Sequence, residues 1–371
     1  MTLRERIVSV YRGETPDLVP YMLDLSHWFY HKHQKPWDLS AVHSEPETDL
    51  IAYHRETGAG FYIPQLPSFY DVCYPEDVTA AVAKSEDGSH ITWTIETPLG
   101  AISRRRRWEP QNYAWGIVDW GVRSERDLDV LGYALSQRTY VPHWDRYDEW
   151  VRAVGDTGVV YVPTGYSAMG HLLNYWMGVQ GAIYATIEMH GPVRAFADAV
   201  NANLLECVDM LARSPAEIII MGDNFSSDIQ PPYFFEEWSR PYYAEAIARL
   251  HRAGKYAAVH IDGRLRGALG MFRAIGADCA DAVTPWAPGD LSPEGCREEA
   301  GPDMILSGGV PPNLWLPSVD VAAFDRAVLQ WLELRESGPR LIANAGDQVP
   351  PGADESRIHR MRDLVNKYGR C

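Results

Sequence analysis

"YAAVHIDGRL", residues 256–265, carries small and β-branched residues (Ala257, Ala258, Val259) straight into His260, Ile261, Asp262 and Gly263. Successive side chains of a strand alternate in direction, so His260 and Asp262 project to one side, at the point where the strand stops. An apolar strand body with ionisable groups at its carboxyl end is expected where a buried parallel sheet opens into a site. The surrounding chain repeats the pattern. "AEIIIMGD" (216–223) comes before it, followed by a helical stretch over about 231–253, and "CADAVTP" (279–285), "DMILSGG" (303–309) and "PRLIANAGD" (339–347) come after it. Helical segments separate these runs, among them "VDVAAFDRAVLQWLELRES" and a closing helix over about 354–368. Short apolar strands alternating with helices predict parallel β/α units.

Upstream, "VPYMLDL" (19–25), "AGFYIP" (59–64) and "GVVYVPTGY" (158–166) bring the strand count near eight. The predicted fold is an α/β (β/α)₈ barrel spanning residues 1–371. An open doubly wound sheet is less favoured, because no GxGxxG follows the first strand. Between about 77 and 124, "HITWTIETPLGAISRRRRW" alternates like two antiparallel strands turning at Pro98, Leu99 and Gly100. It is expected as a hairpin insertion after the second strand.

In a (β/α)₈ barrel the strand bodies are filled with packed side chains, and the chemistry sits on the loops at their carboxyl ends. Asp223, His260, Asp262 and Asp347 occupy such positions on three strands. Clustered carboxylates destabilise one another unless a cation or a shared proton intervenes. A divalent metal on His260, Asp262 and Asp347 meets that need and leaves positions open for substrate, with Asp223 completing the shell or moving a proton. The competing structural reading makes His260 and Asp262 a hydrogen-bonded pair, and Asp223 a cap in the turn-rich "GDNFSSD".

Composition narrows the partners. With 50 acidic and 34 basic side chains the formal net charge is -16, which disfavours nucleic acid and anionic membrane. Arg104 to Arg107 form one basic run, expected as a solvated hairpin, with anion or partner docking as the alternative. Five widely spaced cysteines without a CxxC pair suggest neither disulfides nor a thiolate zinc knuckle. Charges in "MTLRERIVSVYRGETPD" stand where a signal peptide needs an apolar run, and no stretch is long and apolar enough to span a membrane, so a cytoplasmic location is expected.

"RERIVSVYRGETPDLVPYML", "IIIMGDNFSSD", "FFEEWSRPYYAEAIARLHRAGKYAAVHIDG", "MILSGGV" and "NAGDQVPPGADESRIHRM" together resemble the uroporphyrinogen decarboxylase superfamily over nearly the whole chain. The resemblance implies a barrel with its site at the carboxyl-end face. It is closer to the superfamily's corrinoid-dependent methyltransferase-like branch than to true decarboxylases. Those enzymes place substrate-binding arginines in the loop after the first strand, where this chain reads "MLDLSHWFYHKHQ" without arginine. Four imidazoles, His43 included, and three aromatic rings near that place suggest a smaller or less charged ligand.

The methyltransferase branch implies a zinc site built from a histidine and two cysteines. Here the histidine is retained as His260 and the thiolates are replaced by Asp262 and Asp347, a harder donor set suited to polarising a substrate oxygen. The resemblance implies a metal-dependent methyltransferase, with zinc foremost, that demethylates a small, oxygen-bearing or aromatic substrate. The methyl group passes to a corrinoid carried by a partner protein. His27, Trp28, Tyr30, Tyr166, Tyr175 and Trp286 are the expected pocket walls, within a wider aromatic set that includes Tyr62, Tyr70, Trp115, Trp120 and Trp176. Decarboxylation or lysis of a small carboxylate is the alternative reaction, with Asp223 and Asp262 handling the proton and the developing charge. Corrinoid or tetrapyrrole binding without turnover is a third reading, and a homodimer is compatible with the superfamily.

Overall fold

The computed structural model describes residues 1–41, 45–64 and 69–371. Six parallel strands form one sheet in the order Val162–Pro163, Ile218–Phe225, Tyr256–Ile261, Cys279–Val283, Ile305–Val310 and Leu341–Ala345. Two further staves close the ring through single parallel bridges: Tyr21 with Ala343, Met22 with Gly60, and Phe61 with Gly158. Backbone bonds accompany them, from Met22 N–H to the Ala343 carbonyl (3.1 Å), Leu23 N–H to Gly60 (3.0 Å) and Val159 N–H to Phe61 (2.9 Å). The result is the predicted (β/α)₈ barrel. Residues around 19–23 and 59–62 are its first and second staves, Val162–Pro163 the third and Leu341–Ala345 the eighth.

The barrel interior is layered. At its amino end Met22, Val159, Tyr161, Ile218, Ile220, Ala258, Cys279, Ile305 and Ile342 meet Ile7, Val10 and Tyr11 in one buried cluster. The last three come from the helix Leu3–Arg12, whose capping box of Thr2 and Glu5 satisfies its first N–H groups. Tyr11 and Tyr161 share a buried hydroxyl–hydroxyl bond of 2.6 Å. Sealing one isoleucine into such a layer contributes about 2 kcal/mol, so the helix plugs the barrel floor firmly.

Strand periodicity fixes what lies one layer up. Two residues beyond Met22, Ile220, Ala258, Cys279, Ile305 and Ile342 stand Asp24, Gly222, His260, Asp281, Ser307 and Asn344. The interior therefore changes from apolar to polar in a single step toward the carboxyl ends.

The insertion lies between the second and third staves, as expected, but it is larger than a hairpin. Thr79–Lys84, His90–Thr97, Gly100–Glu109 and Ala114–Asp119 form a four-stranded antiparallel sheet in sequence order. Thr97 pairs with Gly100 around the expected Pro98–Leu99 turn. The segment that follows the first stave ties the sheet down: Trp115 Nε1 donates to the Trp37 carbonyl (2.6 Å), Tyr113 Oη to the Lys35 carbonyl, and Lys84 Nζ to Asp38 (2.9 Å).

Candidate functional site

A cavity of about 320 Å³ opens on the polar layer, lined by Asp24, Tyr62, Ile63, Pro163, Tyr166, Ile220, Gly222, Asn224, His260, Asp262, Asp281, Asp347 and Gln348. No lysine or arginine is among these residues. A second recess of about 210 Å³ shares Asp262 and Asp347 with it.

His260 is the centre of the network. Its Nδ1 lies 3.1 Å from Asp281 Oδ2, and its Nε2 lies 3.9 Å from Asp347 Oδ1. Asp281 is only 1% exposed. It accepts from Ser307 Oγ at 3.3 Å, and Ser307 Oγ in turn accepts from Asn344 Nδ2 at 3.2 Å. A chain of hydrogen bonds thus crosses from the fifth stave through the sixth and seventh to the eighth. The sixth stave is bent to present Asp281: its pairing with Ile305–Val310 slips between Ala280 and Val283, where Ala282 takes a φ of +62°. A bulge of this kind re-aims a neighbouring side chain, and strain of this kind gathers at functional sites.

Asp347 follows the eighth stave on a loop pinned by Thr284 Oγ1, which donates to the Gly346 carbonyl at 2.6 Å. A Cβ on residue 346 would fall 2.2 Å from that hydroxyl oxygen, so the close approach requires glycine. Asp24 lies on the floor of the cavity, 5% exposed, and accepts from the Ser26 backbone (3.0 Å) and Gln348 Nε2 (3.0 Å).

These contacts set the protonation. Burial alone lowers the His260 pKa, but the hydrogen bond and charge of Asp281, followed by the charges of Asp347 and Asp262, outweigh it and push His260 up to about 9. At neutral pH the imidazole is a cation held by carboxylates. Asp347 is pushed up to about 7, first by burial and then by Asp262, with the His260 charge opposing. Burial also raises Asp24.

His260, Asp262 and Asp347 meet in this cavity as the sequence predicts. Asp223 does not. It sits one residue out of phase with Gly222 and Asn224, is 2% exposed, and lies behind the cavity wall. There it accepts from the Ser167 backbone N–H (2.7 Å), the Ser167 hydroxyl and Tyr243 Oη (2.8 Å). Its expected place beside the metal ligands is corrected to a buried anchor for the short helix Ala168–His171.

Of the six expected pocket walls Tyr166 lines the cavity, joined by Tyr62 from the wider aromatic set, and the Tyr175 ring lies tilted against Tyr166 at 4.6 Å between centroids. "SHWFY" is not a loop but part of the helix Ser26–Lys32. Its Trp28 is 3% exposed and donates to the Ala353 carbonyl (3.1 Å), Tyr30 donates to Glu47 (2.6 Å), and His27 Nε2 is 2.8 Å from the Tyr113 carbonyl. His27 thus ties the helix to the inserted sheet, Trp28 to the segment after the eighth stave, and Tyr30 to Glu47. Trp286, 72% exposed, faces solvent outside the cavity, and His43 lies outside the described residues. Asp24, Asn224, Asp281 and Gln348 are the polar lining groups the sequence reading missed.

The donor types suit a divalent cation, and a carboxylate on Nδ1 is the outer partner that commonly orients a ligating imidazole. Their positions do not yet match that role: among the described residues no three histidine, cysteine, aspartate or glutamate side chains are gathered closely enough to hold an ion. What the arrangement offers as it stands is a held proton in an acidic cavity.

A closed (β/α)₈ barrel with ionisable groups converging at the carboxyl ends of its staves defines a barrel of the enzyme type. The family follows from the sequence: residues 172–368, just over half of the chain, match the model of the uroporphyrinogen decarboxylase (URO-D) family, and the chain belongs to that family. A search of curated proteins finds no match. Among solved structures the chain is similar to a methyltransferase from Methanosarcina mazei, with a TM-score of 0.65, 14% identity and 99% of each chain covered. That likeness extends the shared fold over the whole length. D-psicose 3-epimerase from Clostridium cellulolyticum H10 overlaps more loosely, with a TM-score of 0.37 at 13% identity over 62% of this chain and 85% of the other. No helix among the described residues is long and apolar enough to cross a membrane.

Proposed function

We propose that this chain is a methyltransferase that removes a methyl group from the oxygen of a small molecule and passes it to a reduced corrinoid carried by a partner protein. The observation behind this reading is the cavity's lining: the His260 imidazole among Asp24, Asp262, Asp281 and Asp347, with no lysine or arginine. Such a lining repels a polyanionic porphyrinogen and accepts a neutral ether. The electron pair of the breaking carbon–oxygen bond would stay on oxygen, and the reduced corrinoid of the partner would supply the two electrons for the new bond to the methyl carbon.

His260 Nε2–H donates the proton that the departing oxygen needs. Asp281 holds the ring by Nδ1 and keeps it charged until that moment, a role for general acid catalysis worth about 10²–10⁴ in rate. Asp347, 3.9 Å from Nε2, would return a proton between turnovers. A zinc ion is part of the proposal only if Asp262 and Asp347 draw in toward Nε2, and no step above depends on one. The test is turnover of methyl ethers with reduced cobalamin, followed by the appearance of methylcobalamin. Loss of that product in His260→Gln supports the reading. Release of labelled carbon dioxide from a small carboxylate, without corrinoid, replaces it with decarboxylation.

A further inference from the structure

We propose that Arg104 and Arg106, with His171 beside them, form an oxyanion-binding subsite beneath the inserted sheet, next to the main cavity and sharing Tyr166 with it. The basic run was expected to be solvated, and half of it is. Arg105 and Arg107 are exposed, whereas Arg104, two residues from Arg106 on the same strand face, is only 4% exposed.

The Arg104 guanidinium lies 4.1 Å from the Trp93 ring, 4.3 Å from Tyr175 and 5.2 Å from Trp176, and that of Arg106 lies 5.1 Å from Tyr175. Ring faces attract the charge but leave the in-plane N–H groups unsatisfied. Arg104 Nε and Nη1, Arg106 Nε, Arg138 Nη2 and His171 Nδ1 are all buried without a hydrogen-bond partner. No ion pair joins Arg104, Arg106 or Arg138 to a carboxylate among the described residues. Asp223, the carboxylate whose charge also reaches Tyr166, is already occupied by Ser167 and Tyr243.

Buried cations in native proteins are paired, and a group of unpaired donors marks a missing acceptor. His171 belongs to the same group: its ring centroid is 6.2 Å from those of Tyr166 and Tyr175. Burial, reinforced by the Arg138 and Arg104 charges, holds it well below its ordinary pKa. A neutral imidazole between guanidiniums donates to an anion without adding a further charge. The occupant that fits is a carboxylate or phosphate oxygen, which planar guanidinium N–H groups match.

This inference does not depend on the methyl-transfer reading, and binding without turnover tests it. Benzoate, inorganic phosphate and neutral benzamide are titrated into the full-length protein, with tryptophan fluorescence and the melting temperature as readouts. Saturable binding of benzoate or phosphate is expected with a Kd of about 1 mM or tighter. Benzamide should bind about tenfold more weakly. A response to benzoate alone assigns a carboxylate, and one to phosphate alone a phosphate. Arg104→Gln and Arg106→Gln are each expected to weaken anion binding by about tenfold, whereas Arg105→Gln on the exposed face and His260→Gln in the main cavity leave it unchanged. Should Arg104→Gln fail to fold, the half-buried Arg106→Gln carries the comparison. The subsite is refuted if neither anion gives a saturable response at about 10 mM, if benzamide binds as well as benzoate, or if Arg105→Gln weakens binding as much as Arg106→Gln.

Discussion

Replacing Asp281 with asparagine keeps the side-chain shape on the sixth stave and removes the charge that holds the His260 proton. In the folded protein His260 titrates near 9, against an ordinary value of 6.5. Because the folded value is raised, its contribution to stability is fully present below about 6.5 and is lost as pH rises through about 9. Between pH ~6.5 and ~8.5 that loss is about 2 kcal/mol.

Other groups intrude little in this window. Burial lowers His27, His54 and His171, so their effects end below it, and burial raises the Cys207, Cys279 and Cys296 thiols, so theirs begin above it. His251, raised by Asp278, titrates in the same direction but is untouched by the substitution. Asp347, raised to about 7, loses its contribution between about 4 and 7. An Asp347→Asn background removes it from both arms of the comparison. Urea denaturation followed by tryptophan fluorescence across this pH range should show a stability that declines more steeply in the parent than in the Asp281→Asn protein, where the His251 contribution remains. Equal slopes would refute the claim that Asp281 keeps His260 charged.

A held proton must leave before a metal can bind Nε2, so zinc affinity is expected to rise about tenfold per pH unit between about 7 and 9. Competition with a chromophoric chelator measures it, and a flat profile removes His260 from the ligand set. Asp223→Ala leaves the Ser167 N–H and Tyr243 Oη donors buried and unpaired. It should cost about 2–4 kcal/mol in urea denaturation while turnover per folded molecule stays within about twofold. Lost turnover at unchanged stability would return Asp223 to the catalytic group. Gly346→Ala places a methyl group 2.2 Å from Thr284 Oγ1. A destabilisation of about 1–3 kcal/mol is expected, with turnover falling further as the Asp347 loop shifts, and wild-type turnover would show that the loop position is immaterial.

The barrel was legible in the sequence because its staves are short apolar runs with polar ends, a signal that is local. Which side of a stave faces inward is not local. His260 and Asp262 were found together because they sit two apart on one strand. Asp223 was misplaced by one residue, since only the pairing of Ile220 with Ala258, made across about forty residues of chain, reveals that Gly222 and Asn224 turn inward. Asp281 and Asp24 had a usable signal, an aspartate embedded in an apolar run ("CADAV", "YMLDLS"), because burying an unpartnered carboxylate is too costly to occur by chance. The aromatic run after the first stave carried no comparable signal. A helix spreads Trp28, Phe29 and Tyr30 over about 200° of arc, enough to bury the first two and leave Tyr30 at the edge.

Arg104 to Arg107 show the same limit from the other side. Alternation fixes that two arginines point each way, but only the sheet's seat on Tyr175 and Trp176 decides which pair is covered. The charges then follow a common logic in both places. The barrel gathers several carboxylates around one imidazole, and the insertion covers Arg104 and Arg106, which pair with no carboxylate among the described residues. Direct pairing would have cancelled both, and the Tyr166 and Tyr175 rings, in contact at 4.6 Å between centroids, lie between them. Guanidinium donors left without acceptors beneath the inserted sheet are costly to folding. A molecule with a neutral reacting end and an anionic end would answer both sides at once, and Tyr166, which lines the cavity and touches Tyr175, marks where it would cross.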